Sequence, residues 1–410
     1  MAVLDVIVVG GGPAGSTSAE ILKKHGYNVE LIEKEIFPRF KPCAGWITEG
    51  VLELAGIEPE EYSSSNTLQR ITGFLLWDRK GRAHVIDYGK TVSYGIIRTE
   101  FDDFLLKRAI NAYGLKVHFG TYVRSIHQKQ DRVTVTTSRG TIEARVVIGA
   151  GGHFCPVSKA LGNTTSDDFT VATLESETLL DPGVMKRFTL KGEIPEIRFL
   201  SPISGYAWYI VKGNYLTIGV GSVDKKRIRS YLSRYMDFLE EKGNIPKGWK
   251  EIIAPFKGHF YKFYPASPRR IIGNRLLLAG DSAGFAYNMS GEGIKPAIIS
   301  GILAARTVME AGGDYSEKGL SLYRRYAERF FGVPGKPPTG ERGTGRKVST
   351  LANIAFERIL LGTGPGRKFI VERFFLGRNR YGKQDYRWLL DSRDGNYAEK
   401  SGNEQRHGEK

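Results

Sequence analysis

Cysteine is nearly absent: Cys43 and Cys155 are the only two in 410 residues. That excludes a disulfide-built scaffold and fits a reducing, cytoplasmic compartment. Long apolar runs are missing as well, and none approaches the roughly 18 uninterrupted residues of a membrane span. The chain opens directly into a strand pattern, so no cleaved signal segment is expected. The seven histidines fall at no metal-ligating spacing, so no metal site is expected. There is no internal repeat, and no nucleic-acid-binding module accompanies the positive charge, so nucleic acid is not an expected partner.

What is present is an ordinary globular balance, 41% hydrophobic and 25% charged, with 50 glycines and a net charge of +16. At 410 residues the chain is long for a single core, so two or three interdependent domains are expected. The charge is uneven: residues 316–410 hold 20 Lys/Arg against 11 Asp/Glu. A solvated basic surface, an anionic membrane surface met peripherally, and an acidic protein partner all fit that excess.

The most informative stretch is the first. Val6-Ile7-Val8-Val9 runs into Gly10-Gly11-Gly12-Pro13-Ala14-Gly15, a G-x-G-x-x-G between an apolar strand and a helical pattern (Ala19, Ile21, Leu22). Gly10 permits the tight turn, Gly12 lets backbone approach a pyrophosphate, and Gly15 lets the helix pack closely on the sheet. The helix start then offers unpaired N–H groups and a positive dipole end. A second strand, Val29–Ile32, ends at Glu33, 23 residues past Gly10, where an acid can accept both ribose hydroxyls. Strand, turn, helix and acid together predict a dinucleotide site.

Further along, residues 35–60 are irregular and then helical, and the runs 73–77 and 84–88 predict a hairpin. A strand closing at Arg98 precedes a helix with Phe101, Phe104, Leu105 and Ala109 on one face. Strands follow at 116–119, 133–135, 141–144 and 145–150. Residues 165–260 are dominated by alternating, aromatic-rich strands, then a helix near 225–242. The last quarter is helical and basic, broken by a Gly/Pro-rich stretch from Gly332 to Gly345 that is expected to be flexible.

A second motif begins 270 residues after the first: Leu276-Leu277-Leu278-Ala279-Gly280-Asp281, an apolar strand delivering an acid that can bind a polyol chain. Ser290-Gly291-Glu292-Gly293-Ile294 then opens a long helix whose N–H groups can hold a flavin's pyrimidine edge and favour negative charge on the reduced ring.

Gly10–Gly15 with Glu33, Arg98 before its helix, and Gly280-Asp281 with Gly291-Glu292-Gly293-Ile294 resemble the p-hydroxybenzoate-hydroxylase-like FAD fold. Within that fold, Lys41-Pro42-Cys43-Ala44-Gly45 and Gly205-Tyr206-Ala207-Trp208-Tyr209-Ile210 look like the geranylgeranyl reductase family, and the resemblance spans about residues 3–380. The fold so implied is α/β: a Rossmann-like FAD-binding domain (1–70, 95–164, 262–315) with an inserted antiparallel β-sheet substrate domain (71–94, 165–261). A basic helical C-terminal region (316–390) and a polar, disordered tail (391–410) complete it.

The resemblance implies a cofactor-binding set of Gly10, Gly12, Pro13, Ala14, Gly15, Glu33, Lys34, Cys43, Ala44, Gly45, Arg98, Gly280, Asp281, Gly291, Gly293 and Ile294. In it Glu33 would meet the adenosine ribose, Arg98 the pyrophosphate or ribityl chain, and Asp281 the ribityl hydroxyls. Gly293 and Ile294 would meet the flavin ring. Cys43 would sit near the ring, with Tyr206 and Trp208 lining the substrate cavity, and these three are the catalytic candidates. The chain departs from the pattern at Ala150-Gly151-Gly152 (usually Ala-Asp-Gly), at Ile210-Val211 (often Phe-Pro) and at Met289 (often Pro). Bland alternatives stand beside these roles: Cys43 and Cys155 as buried small side chains, Tyr206 and Trp208 facing a core, Glu292 complementing a helix dipole.

The function implied is an FAD-dependent oxidoreductase that reduces carbon–carbon double bonds of a prenyl, geranylgeranyl-type lipid by hydride transfer from reduced flavin. A transient NAD(P)H or an acidic ferredoxin would be the reductant. Two alternatives share the cofactor site: an FAD-dependent monooxygenase of an aromatic or lipophilic substrate, and a flavoprotein passing electrons to quinone.

Overall fold

The computed structural model describes residues 3–78, 80–164, 170–189, 191–200, 204–264, 269–287, 290–333, 362–377 and 382–394. Met289, residues 334–345 of the Gly/Pro-rich stretch and the tail from 395 onward lie outside them. In chain order the first elements are β1 (Leu4–Val9), α1 (Pro13–Lys24), β2 (Val29–Ile32), β3 (Trp46–Thr48), α2 (Glu49–Ala55) and α3 (Pro59–Ser63). Next come β4 (Leu68–Ile71), β5 (Gly73–Trp77), β6 (Ala83–Asp87), β7 (Ser93–Ile96), α4 (Arg98–Tyr113), β8 (Lys116–His118) and β9 (Val123–Gln128). The middle holds β10 (Val133–Thr137), β11 (Gly140–Gly149), α5 (Pro156–Ala160), β12 (Thr170–Leu179), α6 (Pro182–Met185), β13 (Glu196–Phe199) and β14 (Gly205–Lys212). Then follow β15 (Tyr215–Ser222), α7 (Ile228–Glu241), β16 (Lys257–Lys262), β17 (Ile272–Gly273), β18 (Leu276–Leu278) and α8 (Ile294–Glu310). Last are α9 (Leu322–Phe331), α10 (Gly364–Ile370, continued by a π turn over Val371–Phe375) and α11 (Lys383–Asp394).

Three sheets organise these elements. The first runs β17-β18-β11-β1-β2-β8, with β10 paired to β11 and β9 to β10. β1 lies between β2 and β11, parallel to both, and Val6, Ile7 and Val8 are wholly buried. A strand covered on both faces has no polar side, hence the unbroken apolar run. Its C-terminal end is a topological switch point, the place where open α/β sheets bind ligands. α1 packs against α4 and α8, and α8 is buried almost all round.

The second sheet has seven strands in the order β16-β12-β15-β14-β13-β5-β6. Its two faces separate by residue parity. Ala207, Tyr209 and Val211 with Leu216, Ile218 and Val220 form one core with Tyr231, Tyr235, Met236 and Leu239 of α7. The opposite face, with Tyr206, Trp208, Lys212, Glu175 and His259, turns to the loops of the first sheet. A third, three-stranded sheet, β3-β7-β4, joins the two.

Several local expectations change. Arg98 is the first residue of α4 and does not close a strand, because β7 stops at Ile96. Residues 141–144 and 145–150 form one strand, β11, since its first half pairs antiparallel with β10 while the second pairs parallel with β1. The irregular segment after 35 contains β3, too short to show a periodicity. Helix α11 continues to Asp394, past the expected start of the tail at 391.

Candidate functional site

The glycine turn at the end of β1 is built for backbone proximity. Gly10 has φ +107°, and a Cβ there would stand 2.5 Å from the Ala150 carbonyl oxygen. A Cβ on Gly15 would fall 1.9 Å from the Gly10 oxygen. Pro13 occupies the first helical position, where its missing N–H is no loss. Gly12, the N-cap of α1, offers no side-chain cap, and the first turn has no acid. Glu33 is buried; it accepts the Gly11 N–H at 2.6 Å and the Glu35 N–H at 2.9 Å, so the acid also braces the turn. Lys34 is not drawn in: its side chain is exposed and meets Glu35 at 3.7 Å.

Two arginines share one carboxylate beside this turn. Arg98 holds Asp102 through both oxygens, at 2.8 and 2.7 Å, and Arg39 Nη2 reaches the same group at 2.9 Å. Burial would raise Asp102, but Arg98 and then Arg39 outweigh it and hold the carboxyl below its ordinary range. One positive charge is therefore left over. Arg39 lies against the turn, its Nη2 3.4 Å from where a Gly12 Cβ would be. Its Nη1 is buried without a hydrogen-bond partner among the described residues. Sequence reasoning missed Arg39, which sits in an irregular segment with no periodicity to place it. The Arg98–Asp102 pair did have a signal, its i,i+4 spacing on a helix.

The second motif arrives at the same place. Gly280 has φ +60°; a Cβ on it would meet Ala14 Cβ at 3.2 Å, and its N–H donates to Ser300 Oγ at 2.8 Å. A Cβ on Gly301 would stand 2.6 Å from the Ala14 oxygen, so the first turn of α1 packs directly on the middle of α8. Gly293 caps α8 without a side-chain bond or an acid in the first turn, and Ile294 is buried behind it. A Cβ on Gly293 would lie 3.5 Å from Asp281 Oδ1. Asp281 also meets Lys41 Nζ at 3.2 Å and His259 Nε2 at 3.3 Å. Burial opposes its charge, yet Lys41 and His259 hold the carboxyl well below the usual range. Gly291, at φ +67°, leaves room for Tyr261, whose hydroxyl a Cβ would meet at 2.3 Å.

The Cys43-Ala44-Gly45 loop is laid on the antiparallel sheet. Glu175 of β12 accepts the Cys43 N–H at 2.6 Å. Lys212 of β14, fully buried, pairs with Glu177 at 2.7 Å and donates to the Ala44 oxygen at 3.3 Å. Gly45 has φ +63° and no room for a Cβ, which would fall 2.1 Å from the Ile96 oxygen. Cys43 Sγ accepts the Gly45 N–H at 3.4 Å and lies beside Arg98. Tyr206 donates its hydroxyl to the Ser290 oxygen, just ahead of the second glycine motif. The Trp208 ring fills the space over Gly219, where a Cβ would stand 2.3 Å from it. Both aromatics thus share the face turned to the loops and not the α7 core. Cys155 is buried in the core of the first sheet, and Cys43 is half-buried against it.

Two uncapped helix starts, glycine cradles without side chains, an unpartnered guanidinium nitrogen and a buried ribose-type acid fit an elongated, dianionic dinucleotide. These features define an FAD-binding oxidoreductase fold. A family model described as an FAD binding domain matches residues 3–187. An uncharacterized protein of Methanosarcina barkeri is 30% identical over 330 residues, covering 78% of this chain and 79% of its own. A digeranylgeranylglycerophospholipid reductase of Methanococcus vannielii is 28% identical over 347 residues, covering 80% of this chain and 83% of that one. A solved geranylgeranyl bacteriochlorophyll reductase-like protein of Thermoplasma acidophilum aligns with TM-score 0.67 at 20% identity, over 95% of this chain and 96% of that one, and shares the fold. The chain belongs to the geranylgeranyl reductase family of FAD-dependent oxidoreductases.

Proposed function

We propose that this protein reduces carbon–carbon double bonds of a prenyl, geranylgeranyl-type lipid. The observation that carries this is an apolar wall ending at the flavin-side glycines. Trp46, Phe74, Phe199, Tyr206 and Phe375 form one cluster, with Phe375 stacked on Trp46 at 5.2 Å and edge-on to Tyr206 at 5.2 Å. Tyr206 links that wall to Ser290. Large rings beside an apolar face suit an isoprenoid chain, and an unactivated alkene needs positioning above all.

In this reading Gly10, Gly12, Pro13, Ala14 and Gly15 hold the pyrophosphate with Arg39, and Arg98 fixes Asp102 behind them. Glu33 takes the adenosine ribose, Gly280 and Asp281 the ribityl chain, and Gly291, Gly293 and Ile294 the ring edge. Cys43, Ala44 and Gly45 cover the ring from the antiparallel sheet, while Tyr206 and Trp208 exclude water and line the substrate side. Bound and reduced, FAD supplies the hydride. The segments 1–70, 95–164 and 262–315 would carry the cofactor, and 71–94 with 165–261 the substrate.

The reductant in this proposal is a transient NAD(P)H or an acidic ferredoxin on the basic surface. No helix among the described residues is long and apolar enough to cross a membrane. We place contact with an anionic lipid surface at the basic C-terminal region, where Phe369 of α10 is exposed beside Lys368.

The test is anaerobic incubation of the FAD-loaded, dithionite-reduced protein with geranylgeranyl lipid, read by mass spectrometry. A gain of two hydrogens per double bond, without oxygen, is expected. Unchanged lipid with fully flavinated, reduced protein overturns the substrate. A product that needs oxygen would point to the monooxygenase.

A further inference from the structure

We infer that Glu175 is the proton store of the site, a neutral acid held beneath the Cys43–Gly45 loop that supplies the proton completing each double-bond reduction; this rests on the function proposed above. Glu175 lies on one cross-strand row with Gly219 of β15 and, through it, Trp208 of β14. It is 1% exposed. One oxygen, Oε1, accepts the Cys43 N–H at 2.6 Å. The other, Oε2, is buried with no partner among the described residues.

The charges facing Glu175 are otherwise engaged. Lys212 of β14 is committed to Glu177, its neighbour on β12, and to the Ala44 oxygen. Arg98 of α4 is committed to Asp102. Lys257, its register partner on β16, sets its ammonium over the Phe40 ring at 4.3 Å. An ionised Glu175 would therefore bury a charge with one oxygen bare, which the neutral acid avoids. Burial first, then Glu177 against the opposing pull of Lys212, the Cys43 N–H and Arg98, pushes the carboxyl up to about 8.

The alternative acids are poorer. The Tyr206 hydroxyl is committed to Ser290, and burial followed by Cys43 and Glu292 raises it further. The Cys43 sulfur accepts a hydrogen bond from Gly45. The balance per double bond is one hydride and one proton. The hydride, from reduced flavin, forms one C–H bond and leaves the flavin oxidised. The π pair of the alkene forms the second C–H bond with the Glu175 proton. The O–H pair stays on the carboxylate, which recovers a proton from water.

Glu175→Gln tests this, since an amide oxygen can still accept the Cys43 N–H. In holoprotein at pH 7, isotope-edited infrared spectra are expected to show a buried protonated-carboxyl band that fades above about pH 8 and is missing from E175Q. E175Q is expected to bind FAD and be reduced by dithionite as the parent is, while lipid reduction falls about a hundredfold or more. The alkaline limb of its pH profile is expected to vanish, and Glu175→Asp to restore part of the rate. If E175Q does not fold, E175D with its shifted band and pH limb carries the test. Identical bands in parent and E175Q, or full lipid reduction by E175Q, overturn the proposal. A parent protein with the band that leaves prenyl lipid unreduced overturns the substrate while the stored acid stands.

Discussion

The two surfaces that close on the site are opposites in charge. Above the parallel sheet, Arg39 and Arg98 share Asp102 while Lys41 meets Asp281, so within these ion pairs cations outnumber acids by one. Helix starts add their positive ends to that excess. On the antiparallel face, Lys212 is taken by Glu177 and Lys257 is turned to the Phe40 ring, so Glu175 has no cation of its own. The first surface is built to receive an anion, whereas the second keeps its balance only if one carboxyl stays protonated. One side is thus complete on binding a cofactor and the other on holding a proton.

The comparison is broken most drastically by Gly15→Ala. Its Cβ would fall 1.9 Å from the Gly10 oxygen, so the turn must open. We expect protein purified without flavin absorbance and a loss of about 3 kcal/mol or more in denaturant unfolding. Full FAD content would show that the anion side does not depend on that turn.

On the other side, Lys212→Met leaves Glu177 buried without its partner. The expected loss is about 3–5 kcal/mol, and replacing Glu177 with Leu as well should recover much of it. Urea unfolding of the single and double variants measures both; an unaffected single variant would mean that this face is not held by its ion pair.

Arg39→Ala addresses affinity more than folding, because Arg98 still holds Asp102. Loss of a charge-assisted contact should weaken FAD binding by about 1.5–3 kcal/mol, with a smaller dependence on salt. Fluorescence titration of apoprotein with FAD at two salt concentrations measures this, and an unchanged affinity would assign the surplus charge elsewhere.

The mildest test uses pH. Glu175 is raised in the folded state from 4.5 to about 8, so between those values the native protein binds a proton that the unfolded chain does not. Stability from this group therefore declines as pH rises through that window. The stability of E175Q relative to the parent should grow from pH 4.5 towards 8 in denaturant titrations, and a constant gap would count against a neutral Glu175.

Gly10–Gly15, Glu33, Asp281 and Gly291–Ile294 were legible in the chain because each sits at a fixed offset from a strand end. Backbone geometry there demands particular residues, and the demand is local. Arg39, Lys41, Glu175, Glu177, Lys212 and His259 were not. Lys41 meets Asp281 across 240 residues, and Cys43 meets Glu175 across 132. Periodicity reports that Glu175, Glu177, Tyr206 and Trp208 alternate with core residues, but not what lies opposite. The split of Tyr206 and Trp208 between core and cavity could be resolved only by seeing which sheet face α7 covers.

By itself, then, the sequence determined the cofactor class, because a dinucleotide needs glycine where backbone must come close and an acid where a strand ends. The tertiary structure decided which carboxyl carries a proton. That depends on burial and on the partners already taken by Lys212, Arg98 and Lys257, and those are set by sheet register and by loops that meet only in the folded chain.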